Sequence, residues 1–489
     1  MRDCRLFIDG EYCASGSGET YDSIHPGNGQ VIARIAKGGA EDVARACSAA
    51  QAAFDGEWGA MTSADRSAIL GRAAGLLLAR AEEFAQMEMA DVGKPITEAR
   101  NIDVPISASY LQWYADMAGT AAGQTLSLPN AAQIDRTLYE PYGVVAGITP
   151  WNFPLFLGMI KIGSALATGN SLVLKPAGIT SMTTSLVCEL FQQAGLPKGA
   201  LNVICGPGAT VGEALVADPH VRMISFTGST DVGRCIIGLS QANITNLSLE
   251  LGGKCPVTIF ADADFEQAVA GVVFGILLNN GQNCIAGSRL LVEKTIYDDV
   301  VAAVAARMSG LRLGPPAAEE TQLGAIVSQG QFDKVNEYIE IGKAEGAEIV
   351  CGGKVPEGSE FSGGYFMEPT LFAAVSNDMR IAREEIFGPV LVAIPFENEA
   401  DAIRIANDTP YGLGSGVFTT SVDRAERMVR ALKSGTVYVN TYNQIYPQSP
   451  FPGWNESGTG VERGLAGLYT YLRVKNVIQD ISGKPIGWF

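Results

Sequence analysis

Apolar residues recur at helical spacing through GAEDVARACSAAQAAFD and again through SADRSAILGRAAGLLLARAEEFAQMEMADVGKP, so the chain up to about residue 120 reads as helix-rich. The second segment opens on Ser and Asp, which suit a helix start, and closes on Gly-Lys-Pro, which ends one. From Tyr142 the pattern changes. Short apolar runs follow one another, GVVAGITP, NSLVLKP, LNVICG, VRMISFTG and CPVTIF, and the stretches between them, such as 155–167 and 181–194, hold one helix each. Strand, helix, strand at that spacing predicts a parallel sheet with right-handed crossovers, and ligands of such sheets bind beyond the carboxyl ends of the strands. TPWNFP, KPAGIT and FTGST lie at those ends. A second alternation runs from about Ala263 to Gly453 through RLLVEK, QFDKVNEYIEIGKAEG, EIFGPVLVAIPF and GTVYVNTY, and predicts a second α/β domain. QTLSLPNAAQIDRTLYEPYG and TYLRVKNVIQDI read as exposed strands, which invite pairing with another chain.

A length of 489 residues exceeds one ordinary core and predicts two or three domains. With 47% apolar and 18% charged residues the chain is globular rather than disordered. The formal charge of −17 repels phosphate backbones, so no nucleic-acid partner is expected. No apolar run reaches the roughly 20 residues that span a bilayer, and charges interrupt MRDCRLFIDGEY too early for a signal peptide. Nine scattered cysteines without paired zinc spacing predict reduced thiols, a cytoplasmic location and no metal site. His25 and His220 are the only histidines, and both sit in turn-like contexts. Any nucleophile in this chain therefore takes its proton acceptor from a carboxylate.

Three stretches carry candidate chemistry. In NNGQNCIAGSR, Cys284 stands at the polar end of an apolar run, either filling a small core space or acting as a nucleophile at a cleft mouth. Glu250 in SLELGGKCP is either a general base with an apolar-raised pKa or a surface glutamate ending a strand. Asn152 in TPWNFP is either an oxyanion donor on a rigid loop or an ordinary turn residue. FTGSTDVGR lacks both the phosphate-loop lysine and the G-x-G-x-x-G fingerprint. Gly228, Ser229 and Thr230 remain as a helix start that either holds a pyrophosphate or is merely capped. Lys175 in LKPA ends a strand, within reach of a ribose or phosphate.

TPWNFP, LKPA, FTGST, LELGGK, GQNCIAGSR, EEIFGPV and SGTG, in this order, resemble the aldehyde dehydrogenases over nearly the whole chain. The resemblance implies two open parallel-sheet α/β domains and a small β arm: residues 1–122 and 142–252 binding the cofactor, 253–456 catalytic, and 123–141 with 470–489 forming oligomerisation strands. It implies Cys284 as nucleophile, Glu250 as base for the hydrolytic water, Asn152 as oxyanion donor, and Lys161 and Glu462 as a proton relay. It places NAD or NADP against Thr149, Pro150, Trp151, Lys175, Gly178, Gly228, Ser229, Glu385 and Phe387. It implies a homodimer or homotetramer.

Two positions depart from the family pattern. Gly178 stands three residues after Lys175, where many members carry a glutamate that repels a 2′-phosphate, so both cofactors are expected to be used. Val461 stands where arginine is frequent. The resemblance implies a substrate tunnel of Phe153, Leu157, Gly158, Ile160, Asn283, Ile285, Ile445 and Phe451, mostly apolar, with no cation named among them. Ile160 occupies the position of a tryptophan in members that take quaternary ammonium aldehydes. The expected substrate is thus an aromatic or medium-length apolar aldehyde. The rival readings are a betaine, amino- or semialdehyde, an acylating enzyme that passes its thioester to coenzyme A, and a binding protein without catalysis. Glu250 speaks against the acylating enzyme.

Overall fold

The computed structural model describes residues 2–485; Met1 and 486–489, the end of the expected oligomerisation span, lie outside the described residues. The first large sheet has eight strands in the order Gly458–Thr459, Asn246–Glu250, Val221–Thr227, Val144–Ile148, Ser171–Lys175, Leu201–Val203, Leu6–Ile8, Glu11–Cys13. The five strands from Asn246–Glu250 to Leu201–Val203 run parallel. Their continuous apolar runs follow from helices covering both faces: Val144, Val145, Ala146, Leu172, Val173 and Leu174 have no exposed surface. Pro154–Ala167 and Met182–Gln193 are the crossover helices expected at 155–167 and 181–194.

The second sheet has seven strands: Glu348–Cys351, Thr370–Ala373, Val390–Phe396, Arg289–Glu293, Pro256–Ile259, Gly414–Phe418 and Thr436–Val439. All neighbours are parallel except the first pair. Its two faces feed two separate cores. Leu290, Leu391 and Ala393 join one, and their chain neighbours Leu291, Val392 and Ile394 join the other, as the two-residue period of a strand requires. A third sheet is small and antiparallel: Leu472–Asp480 against Gln133–Pro141, and that strand against Thr125–Leu126. It leaves Leu126, Ile134, Leu138, Val474 and Ile478 exposed.

The N-terminal part differs from the helix-rich expectation. Arg2–Cys4, Leu6–Ile8, Glu11–Cys13, Thr20–Ile24 and Val31–Ala36 are strands, and helix begins only at Ala40. Strands of three to six residues are too short to show a two-residue period against their charged neighbours. The long helical pattern of 63–95 is two helices, Ser63–Ala79 and Ala81–Val92, parted at Arg80, whose backbone leaves the helical region at φ −112° and ψ 24°.

Candidate active site

One cavity of about 190 Å³ opens beyond the carboxyl ends of the first sheet and is lined on its other side by loops and a helix around the second sheet. Val144–Ile148 delivers Pro150, Trp151, Asn152 and Phe153 to it, Val221–Thr227 delivers Gly228 and Ser229, and Asn246–Glu250 ends on Glu250 itself. From the other side, helix Phe265–Leu277 leads into a turn at Leu278–Gly281 and then to Asn283, Cys284 and Ile285.

The amides of NNGQNC hold that turn. Asn279 and Asn280 adopt positive φ of 52° and 55°, which asparagine tolerates better than most residues. Asn279 Nδ2 donates to the Asn152 carbonyl at 2.8 Å and to the Gln282 carbonyl at 3.2 Å. Gln282 Nε2 donates to the Asn279 carbonyl at 3.1 Å, and its Oε1 accepts from the Val327 amide at 3.0 Å. Asn152 Nδ2 donates to the Gln282 carbonyl at 2.9 Å, which leaves one of its two N–H bonds for another acceptor.

Cys284 is half-buried and reached from the cavity, whereas the nearby Cys255 is fully buried. Burial, then the negative charge of Glu250, pushes the Cys284 thiol well above its ordinary range. Burial, then the charge of Glu462, pushes Glu250 up to about 8. Glu250 Oε1 has no hydrogen-bond partner among the described residues. A carboxyl with that pKa is poised to take and release a proton near neutral pH. Lys161 and Glu462 lie beneath the cavity wall rather than in it. Lys161 Nζ donates to Glu462 Oε1 at 2.8 Å and to Ser225 Oγ and Thr227 Oγ1 at 3.0 Å each. Thr227, part of the lining, connects this pair to the cavity.

The cofactor candidates divide between two places. Trp151 and Phe387 meet edge to face at 5.1 Å, and Phe387 is held at φ 62° with its carbonyl accepting from Gln331 Nε2 at 2.8 Å. Glu385 accepts from the Gly253 amide at 2.9 Å, and a Cβ on Gly252 would sit 2.7 Å from its other oxygen. Ser229 caps helix Thr230–Ser240 by accepting from the Val232 amide. Lys175, Gly178 and Thr149 stand outside the cavity lining. Lys175 is buried and donates to the Pro176 carbonyl at 3.2 Å, and burial lowers its pKa. Thr149 Oγ1 is buried without a partner among the described residues, and its backbone N–H donates to the Lys175 carbonyl at 3.1 Å. A Cβ on Gly178 would meet the Tyr21 hydroxyl at 3.5 Å, an ordinary contact. A helix start at Gly228 and Ser229, an unpartnered Thr149 hydroxyl and a lysine behind them fit a dinucleotide.

Of the tunnel residues, Phe153, Leu157, Asn283, Ile285 and Ile445 line the cavity; Gly158, Ile160 and Phe451 do not. Ile102, Ile106, Phe156, Lys334, Asn443 and Arg463 line it without having been singled out from the sequence. Arg463 alters the picture of a tunnel without a cation, because its guanidinium lies 4.1 Å from the centre of the Phe451 ring.

The aldehyde dehydrogenase family model matches residues 12–477. The chain belongs to that family. It is 40% identical to the betaine aldehyde dehydrogenase of Bacillus subtilis over 99% of each chain. It is 42% identical to the mitochondrial aldehyde dehydrogenase family 2 member B4 of Arabidopsis thaliana, over 98% of this chain and 89% of that one. The betaine aldehyde dehydrogenase of Staphylococcus aureus, solved with NAD+, superposes with a TM-score of 0.97 at 39% identity, over 99% of this chain and 96% of that one. The two sheets and the β arm are those of the aldehyde dehydrogenase fold. Like its relatives, this member of the family is an enzyme that oxidises an aldehyde to a carboxylic acid with NAD or NADP. None of its described helices is long and apolar enough to cross a membrane.

Proposed function

We propose that the enzyme works through a cysteine thioester, with Cys284 as nucleophile and Glu250 as base. The observation that carries this reading is one thiol and one carboxyl facing the same cavity, each raised by burial and each by a neighbouring negative charge. Glu250 takes the thiol proton as the sulfur attacks the aldehyde carbon. The oxyanion that forms is stabilised by the free N–H of Asn152 and the backbone N–H of Cys284. Trp151, Glu385 and Phe387 would hold the nicotinamide, which would supply the hydride acceptor for the tetrahedral carbon. Glu250 then activates the water that hydrolyses the thioester, and Lys161 and Glu462 carry the released proton away from the cavity through Thr227. Cys284→Ala tests the reading: formation of reduced nicotinamide should cease while cofactor still binds, and near-normal turnover would overturn it.

The division into a cofactor-binding unit (1–122 and 142–252) and a catalytic unit (253–456) is supported by the separate cores of the two sheets. Gly178 in place of an acidic residue supports use of both NAD and NADP. The exposed apolar face of the small sheet supports a dimer or tetramer formed through 123–141 and the strand Leu472–Asp480, which light scattering would measure. Nine free cysteines among the described residues support a reducing compartment, the cytoplasm. For the end of the substrate remote from the carbonyl, likeness to betaine aldehyde dehydrogenases supports a polar or charged head more than the benzaldehyde-like ring expected from the sequence.

A further inference from the structure

Arg463 follows the relay residue Glu462 and adopts φ 62° with ψ 172°, a combination found almost only at glycine. The turn points its side chain into the catalytic cavity, where the residue is only 6% exposed. Among the described residues its guanidinium makes no ion pair and its Nε is buried without a hydrogen-bond partner, while the Tyr110 hydroxyl lies beside it. The nearest carboxylate in sequence, Glu462, already accepts from Lys161 at 2.8 Å. Glu250 feels the charge of Arg463, which draws its burial-raised pKa back down, but its Oε1 makes no hydrogen bond among the described residues. What surrounds the guanidinium instead is aromatic: Phe451 at 4.1 Å, Phe156 at 5.4 Å and Tyr110 at 5.9 Å from ring centre to guanidinium carbon.

Stacking on these rings offsets part of the desolvation cost, but it leaves the in-plane Nε–H without an acceptor. Buried guanidinium groups are normally paired, and an unpaired one facing a cavity is a pre-set receptor for a flat anion. A planar fork of donors fits a carboxylate better than a point charge would.

We propose that Arg463 binds a carboxylate at the far end of the substrate, so that the preferred aldehydes are short dicarboxylic semialdehydes. This rests on the reading of the cavity as the aldehyde site. The same charge disfavours a trimethylammonium head, so the betaine-type substrate named for the relatives is not expected here. Phe153, Leu157, Ile285 and Ile445 supply apolar walls for the methylenes between aldehyde and carboxylate.

The test compares matched pairs, succinate semialdehyde with butanal and 4-carboxybenzaldehyde with benzaldehyde, with betaine aldehyde alongside. The wild-type enzyme should favour the carboxylated member by about 30-fold or more in kcat/KM. Arg463→Met should abolish that ratio chiefly through KM, and Arg463→Lys should keep part of it. A readout without turnover is calorimetric binding of succinate to the Cys284→Ala protein, expected to be lost in the Cys284→Ala, Arg463→Met double variant. No carboxylate preference in the wild type, or betaine aldehyde leading, overturns the inference. So does an equal loss on every substrate in Arg463→Met, which would make Arg463 a positioning residue for the thiol. Failure of every aldehyde to yield reduced nicotinamide would overturn the thioester reading instead, and succinate binding would still decide the role of Arg463.

Discussion

Lys161 Nζ lies 2.8 Å from Glu462 Oε1, across 301 positions of chain, and the two side chains are 1% and 3% exposed. Two charges so placed are costly to separate, since either one alone would be buried without a counter-charge. Lys161→Met should cost about 3–5 kcal/mol of stability. The double variant Lys161→Met, Glu462→Met should recover much of that loss. Urea midpoints of the three proteins check the point; equal midpoints for single and double variants would mean the cost lies in packing.

In the proposed mechanism Glu250 sets the pH profile of the second half-reaction. Its pKa of about 8 means the base form grows as pH rises through that value. Turnover limited by thioester hydrolysis should climb through about pH 8 and then level off. Glu250→Gln should remove this limb and slow hydrolysis by about 10²–10⁴-fold. The burst of reduced nicotinamide should be lost in that variant as well, since Glu250 takes the thiol proton; a surviving burst would assign that step to another group. A lost burst would show that Glu250 alone activates Cys284.

Cofactor choice can be moved at Gly178. There is room for a side chain, because the nearest atom to its Cβ would be the Tyr21 hydroxyl at 3.5 Å. Gly178→Glu should disfavour the 2′-phosphate by a few kcal/mol at close range and intermediate dielectric, and shift preference toward NAD. The ratio of kcat/KM for the two cofactors is the measurement, and an unchanged ratio would place the choice elsewhere.

The parts of this enzyme that were readable in its sequence are those where one local pattern has one spatial outcome. Val144–Ile148 and Ser171–Lys175 read as buried parallel strands because their apolar runs are unbroken and helix-length segments separate them. Cys284, Glu250 and Asn152 were each ambiguous alone and took their roles only from the resemblance of the motifs around them to one family; the structure brings all three to one cavity. Arg463 was not readable. Its neighbours Gly460 and Gly464 mark a turn, but which way the side chain points depends on a positive φ and on the distant rings of Tyr110, Phe156 and Phe451. Ile102 and Ile106 were hidden for a related reason: on a helix with apolar residues all along it, periodicity does not distinguish a core face from a cavity wall.

Asp91 makes stability depend on pH. It is buried and accepts from Ser23 Oγ at 2.8 Å and from the Met182 amide at 3.0 Å, and burial pushes its pKa up to about 7. An unfolded aspartate titrates near 3.9, so between about pH 4 and 7 the native state holds a proton that the unfolded chain has lost. The stabilisation is complete below pH 4 and disappears as pH rises through 7, a change of up to about 4 kcal/mol. Asp91→Asn should flatten the fall of the thermal midpoint between pH 5 and 8. An identical slope in the variant would assign the dependence to other buried acids such as Glu88.

The strand Gly458–Thr459 closes the edge of the first sheet by pairing with Leu249 and Glu250, more than two hundred residues earlier, and the chain then runs straight into Glu462 and Arg463. Cys284 and Glu250 are therefore made long before the segment that completes their surroundings. A chain still on the ribosome can form the five parallel strands of its first sheet before this edge strand exists, since domains fold as units in order of synthesis. Until its last few dozen residues emerge, it lacks the partner of Lys161 and the guanidinium beside the cavity. Nascent and C-terminally truncated chains would display the thiol without the machinery to use it. Full activity thus requires that synthesis has passed Arg463.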